Sequence, residues 1–257
     1  MNHEVNTATR AQSIGSTRGF TIIELMLAMT FISILLLAIA MTIVQIANIY
    51  NKGMIVKELN VTSRSINDEL TAAVRSSGSF SLDASANRYV NNAWGGRLCV
   101  GQYSYIWNYG SALASVDTNR NQYSSPNSGG NIVRDPSGVI RYEIGLVKAP
   151  DSGGAYCAPD GTGRYPNISP TNAVELLKSG DHGLVLHGLT ISSSATAKDP
   201  LSGQQLYSFS YILGTGDLGA INATKTACKA PGEAGADLNY CAVQQFGLVL
   251  RVVSGVN

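Results

Sequence analysis

The chain has 257 residues, 14% of them charged and 44% hydrophobic, with a formal net charge of +1. That length holds an anchor and one domain of ordinary size. The near-neutral balance gives tight, direct nucleic-acid binding no compositional support, local basic patches aside, and the absence of any CxxC pair argues against a zinc ribbon.

The first legible element is an uncharged run from Leu25 to Tyr50, LMLAMTFISILLLAIAMTIVQIANIY. Written as a helix rising 1.5 Å per residue, it is long enough for a hydrocarbon core of about 30 Å. It holds neither Pro nor Gly, so nothing in it breaks a helix. It is also longer than a signal-peptide apolar core. Arg10 and Arg18 precede it, opposed only by Glu4. The positive-inside rule then puts residues 1–19 in the cytoplasm and the bulk of the chain across the membrane.

Glu24 interrupts the apolar pattern FTIIELML one turn into the run. As a plain interfacial acid it would snorkel toward water. If the chain is cut between Gly19 and Phe20, Glu24 acquires another role. The new α-amine at Phe20 is largely protonated near neutral pH. A carboxylate four residues on can then select a neighbouring subunit's amine and set the axial stagger between copies, because opposite charges in apolar surroundings are costly when left alone.

The residues Arg18-Gly19-Phe20-Thr21-Ile22-Ile23-Glu24-Leu25, followed by the long apolar run, resemble the processing site of type IV prepilins and type II secretion pseudopilins. The strict resemblance covers about residues 16–50. It implies that Gly19 ends a leader peptide removed by a prepilin peptidase, that Phe20 becomes the N-methylated first residue, and that Glu24 pairs charges during assembly. Removal of residues 1–19 takes two of the 18 basic and one of the 17 acidic side chains, leaving a neutral product. Major pilins often carry a proline midway along this helix. Met41 stands there, which favours a minor pilin or a pseudopilin, most like a W-type minor pilin or a J-type pseudopilin.

Beyond Tyr50, Ile55, Leu59, Thr62, Ile66, Leu70 and Ala73 recur at three- and four-residue spacing, an amphipathic stripe over residues 51–77. Gly53 could bend it, and Ser77-Gly78 reads as its stop. The head, 78–257, opens with a region that is hard to read as far as Asn131. Within it Tyr103, Tyr105, Trp107 and Tyr109 alternate as in a strand. That alternation suits a sheet face, or else a contact surface of a tip adhesin. Further strands are expected at Gly138–Val147, Leu184–Ser192, Gln205–Leu213 and Val243–Val253, with a short helix over Thr171–Lys178. Strands following one long helix indicate an α+β fold, a helix laid on an antiparallel sheet.

Cys99, Cys157, Cys228 and Cys241 all follow the apolar run, on the exported side, where disulfides form. Three pairings are possible. Cys228–Cys241 with Cys99–Cys157 is favoured, because the first pair is close in sequence and flanks a Pro/Gly-rich stretch. Four reduced, buried cysteines are the alternative.

Other motifs carry little chemistry. Gly214-Thr-Gly216-Asp-Leu-Gly219 matches a dinucleotide fingerprint but lacks a following helix. His182 and His187, five residues apart on a strand, point to opposite faces. His3 belongs to the leader. Asp181, Asp199 and Asp217 sit in polar turns without EF-hand spacing. No catalytic set, cofactor or metal is expected. The expected function is that of a structural subunit, a minor type IV pilin that primes or caps assembly and supports adhesion, twitching motility or DNA uptake. A type II secretion pseudopilin is one alternative, and a membrane-tethered binding domain or tip adhesin another. The implied partners are the prepilin peptidase, other major and minor pilins through the N-terminal helix, the inner-membrane platform protein, the assembly ATPase, a tip adhesin and, before assembly, membrane lipid. The implied location is the inner membrane as a single-pass protein, then a pilus or a pseudopilus.

Overall fold

The structure, a computed structural model, describes residues 19–113, 133–134, 140–142, 144–161, 165–166, 168, 173–178, 183–193 and 204–252. Met1–Ala47 and Asn48–Asn257 form separate compact units. In the first unit, the described chain past residue 21 is helical and every described residue is exposed. It belongs to α1 (Ile22–Ser77), whose helical spacing continues through Gly53 without a break.

In the second unit, α1 buries Leu59, Ser63, Ile66, Leu70, Ala73 and Val74. Four of these belong to the expected stripe. Ile55 and Thr62 are half-buried.

The remaining elements are β1 (Tyr89–Asn91), β2 (Gly95–Val100), β3 (Tyr103–Asn108), α2 (Gly110–Leu113), β4 (Val133–Arg134), β5 (Ile140–Tyr142), β6 (Ile144–Pro150), β7 (Val174–Lys178), β8 (Leu184–Ser193), β9 (Gln205–Thr215) and β10 (Val243–Val252). They make a five-stranded sheet in the order β1-β2-β3-β6-β7, a three-stranded sheet in the order β10-β9-β8, and the separate pair β4-β5. Every paired neighbour is antiparallel. The fold is α+β, as expected.

One core joins the helix to both sheets. Leu59, Ile66, Leu70 and Val74 of α1 meet Leu98, Tyr105 and Trp107 of the larger sheet and Tyr207, Phe209, Tyr211 and Leu213 of the smaller. All of β2 is buried, because the larger sheet is covered on both faces. On its other face Ile106, Val147 and Ala149 pack with Ile168. Gly96 is required for this packing, since a Cβ there would lie 2.4 Å from Trp107 Cζ2.

Two expectations are corrected. The segment ending at Lys178 is not a helix: Val174–Lys178 is an edge strand paired to β6. Residues 171–172 lie outside the described set. The Ala, Glu, Leu and Lys of this segment favour a helix, but pairing to a strand edge and burial of Leu177 override that weak preference. The strand expected at Gly138–Val147 is two: β5 pairs with β4, while β6 extends to Pro150 inside the larger sheet. Tyr105, Trp107 and Tyr109 are buried and only Tyr103 is exposed. The aromatic alternation is therefore mainly a core face, with Tyr103 alone of the four at the surface.

Candidate functional site

The residues singled out for processing lie at the start of α1. Gly19 and Phe20 are exposed and precede the helix; Phe20 is 74% exposed, and nothing lies within 4 Å of where a Gly19 Cβ would be. Thr21 is the N-cap. Its Oγ1 accepts from the Glu24 N–H at 3.3 Å, and its carbonyl accepts the first helical bond from Leu25 at 3.1 Å. Thr21 and Glu24 thus occupy the first and last places of the S/T-x-x-E capping pattern. A cut after Gly19 would leave this cap intact.

From Ile22 onward the described part of the first unit exposes its apolar side chains, Ile23, Met26, Phe31, Ile34 and Ile43 among them. The helix is long and apolar enough to cross a membrane. Its hydroxyls fit such surroundings. Thr30 donates to the Leu27 carbonyl at 2.8 Å, Ser33 to Met29 at 2.8 Å and Thr42 to Ala38 at 2.9 Å. Each is bonded within its own helix, as a medium without water demands.

In the second unit, polar contacts fix α1 to each sheet. Tyr105 Oη donates to Glu69 Oε1 at 2.7 Å, and Lys148 Nζ pairs with the same oxygen at 2.5 Å. Burial would raise the Glu69 carboxyl, but Lys148 and Tyr105 together hold it below the usual range. Burial and the adjacent carboxylate push the Tyr105 phenol well up. The Lys148 ammonium lies 3.9 Å from the Tyr103 ring centre. On the smaller sheet, Tyr211 Oη lies 3.0 Å from both the Ser63 carbonyl and Asn67 Oδ1. Burial pushes its phenol up to about 12.

The cysteines pair as expected, Cys99 with Cys157 and Cys228 with Cys241, and none is free. Beside the first bridge, Asp151 accepts from Ser104 Oγ at 2.7 Å and from the Ala155 and Tyr156 N–H groups, both at 2.9 Å. Burial opposes its ionisation, yet these donors keep its carboxyl low.

Arg97, which nothing in the sequence marked, is only 2% exposed. It donates to the Tyr156 and Pro166 carbonyls at 2.7 and 2.8 Å and lies 5.2 Å from the Tyr165 ring centre. Burial lowers its pKa to about 10. It fastens Tyr156, Tyr165 and Pro166 to β2 of the larger sheet. A charged residue inside a glycine-led strand was the one available signal.

The rejected motifs find ordinary places. Gly214 is the penultimate residue of β9, and Gly219 lies in a one-turn helix whose cap is Asp217, accepting from the Gly219 N–H at 2.9 Å. His187 is buried, its Nε2 3.0 Å from the Thr215 carbonyl. His3, Asp181, His182 and Asp199 lie outside the described residues. Among the described residues, no cluster of three metal-ligating side chains occurs.

Comparison with protein-family models, with curated proteins and with solved structures finds no match to this chain. The functional reading therefore rests on its own residues and geometry.

Proposed function

We propose that the chain is a filament subunit made as a membrane-anchored precursor, a minor type IV pilin that primes or caps assembly. The observation that carries this reading is the start of α1. An accessible Gly19–Phe20 bond precedes a Thr21-capped helix with an acid at Glu24 and a fully exposed apolar surface. The same helix ends on a disulfide-bonded α+β head.

An apolar helix exposed on all sides needs lipid or other helices around it. In a filament, the surface that faces lipid in the precursor would be buried among the same helices of other major and minor pilins. Association between such helices draws on packing and on particular polar contacts. Glu24 with a neighbour's Phe20 amine would be the contact that sets register. The reading requires a prepilin peptidase, a platform protein in the inner membrane and an assembly ATPase. Adhesion, twitching motility or DNA uptake would follow from the filament. Met41 in place of a mid-helix proline is compatible equally with the short pseudopilus of type II secretion.

Intact-mass and N-terminal peptide mass spectrometry of the protein from its native host tests this. A chain beginning at N-methylated Phe20 is expected. A chain that keeps residues 1–19 in cells with an active prepilin peptidase would reduce the segment to a plain membrane anchor and end the filament reading.

A further inference from the structure

At the C-terminal end of α1 lies a polar pocket of about 270 Å³, lined by Ser77, Ser79, Ser81, Ser152, Phe80 and Arg88 among others. Arg88 decides its character. The residue is half-buried, and its guanidinium makes no ion pair or hydrogen bond with any described side chain. Its backbone is pinned, the carbonyl accepting from the Cys99 N–H at 2.8 Å.

Room for the guanidinium comes from Gly154. That residue has φ +71°, and a Cβ on it would lie 3.1 Å from Arg88 Nη1. A side chain there would be strained and would press on the cation. Of the acids in this region, Asp151 is committed to Ser104 and to the Ala155 and Tyr156 N–H groups, and Asp83 accepts from Ser81 Oγ at 2.7 Å.

The walls are equally fixed. Phe80 stacks on Tyr207 with ring centres 4.3 Å apart, and the Tyr207 hydroxyl holds both the Phe80 N–H and its carbonyl. Cys99, in disulfide with Cys157, also lines the pocket. The negative end of the helix is blunted, because Ser76 and Ser77 donate to the Ala73 and Val74 carbonyls at 2.9 Å each. Ser79 and Ser152 keep hydroxyls with no described partner.

We infer that this pocket binds a carboxylate-bearing sugar, with Arg88 on the carboxylate, the Ser79 and Ser152 hydroxyls on the sugar hydroxyls and Phe80 against the ring. One unpaired cation matches one negative charge and suits the fork of a carboxylate. The two hydroxyls of Ser79 and Ser152 beside it match a ligand that carries hydroxyls of its own. The volume lies just under the roughly 300 Å³ at which small-molecule pockets begin, which suits a single ring. The assignment is independent of how α1 is processed or anchored.

The test is binding of glucuronate, glucose and inorganic phosphate to the full chain in nanodiscs, followed by saturation-transfer NMR and calorimetry. Saturable glucuronate binding is expected, on the order of tenfold tighter than glucose, as charge-assisted hydrogen bonds require. Arg88→Gln should bring glucuronate down to the glucose level, Arg88→Lys should retain most of the preference, and Ser152→Ala should weaken both sugars. Near-UV circular dichroism checks that each variant is folded. Three results would overturn the inference: no saturable glucuronate binding, glucose binding equal to glucuronate, or phosphate displacing glucuronate as well as unlabelled glucuronate does. Undiminished glucuronate binding by folded Arg88→Gln would do the same.

Discussion

The Tyr109 hydroxyl accepts the backbone N–H of Leu189 at 3.1 Å, and its own proton reaches Asn91 Oδ1 at 2.6 Å, while Asn91 Nδ2 returns to the Leu189 carbonyl at 2.8 Å. A ring of side-chain bonds thus closes the outer edge of β8. Tyr89 Oη adds a fourth bond, accepting from the Ile191 N–H at 3.2 Å. A strand edge left bare is a template for unwanted pairing. Here Tyr89 and Asn91 of β1 and Tyr109, just past β3, take the place of a further strand and join the two sheets. Tyr109→Phe leaves the Leu189 N–H buried without an acceptor and should cost about 1–3 kcal/mol. Denaturant unfolding of the full chain would measure it, and a change below a few tenths of that would show that the seam does not depend on this hydroxyl.

Arg97 should be among the most sensitive positions in the head. Its removal leaves the Tyr156 and Pro166 carbonyls without their donor and a hole beneath Tyr165. Arg97→Ala should destabilise the head by about 3 kcal/mol or more. Faster proteolysis within 155–168, ahead of global unfolding, would be the local sign. Unaltered cleavage there would mean that another contact fastens the stretch.

The buried His187 gives stability a pH dependence of definite sign. Its Nε2 meets a carbonyl, which can only accept, so Nε2 carries the proton and Nδ1 is the bare nitrogen, buried without a partner. Burial pushes the imidazole below its ordinary 6.5, partly opposed by the Thr215 carbonyl and reinforced by the Lys225 charge. The unfolded chain therefore binds a proton as pH falls through 6.5, while the native chain does not. The contribution is whole above that value and is lost as pH falls from it toward the depressed native value. His187→Gln should flatten the slope of unfolding free energy between about pH 7 and pH 5.5. Equal slopes in the two proteins would assign the pH dependence elsewhere.

The two disulfides should differ in weight. Their sequence separations are 58 and 13 residues. The chain-entropy relation then gives about 4 kcal/mol for Cys99–Cys157 and about 3 kcal/mol for Cys228–Cys241. Paired Cys→Ser variants, unfolded in urea, would rank them. The reverse order would show that packing around each bridge outweighs loop length.

At the N-terminus, Gly19→Ser should impair leader removal, visible as a heavier chain in immunoblots of host membranes. Normal maturation would move the cut elsewhere. Glu24→Ala should insert in the membrane as before yet enter sheared filaments several-fold less. Equal incorporation would remove the charge-pairing argument.

Much of this was legible in the sequence for identifiable reasons. Leu59, Ile66, Leu70 and Ala73 announced a buried helix face because helical periodicity is a local property. Ser63 lies on that face too, but its burial depends on Tyr211, 148 residues distant, and no spacing rule reports that. Strands β8, β9 and β10 stood out because they are long and rich in β-branched and aromatic residues. Val174–Lys178 reads as helix because an edge strand need bury only a little, here Leu177, and its composition then follows helix-like chemistry. Arg88 and Arg97 looked alike as letters. Only the fold separates a guanidinium closed over by carbonyls from one left open beside serines.

The hydroxyls of Thr30, Ser33 and Thr42, each turned back on its own helix, bear on reversibility. With these hydroxyls already engaged, the helix asks nothing of its neighbours on their account. Its surroundings can change from lipid to protein and back while the same internal bonds persist. If the chain assembles as proposed, movement in either direction would be decided by packing and by Glu24. A helix that had to exchange hydrogen bonds at every step would be far harder to withdraw once inserted.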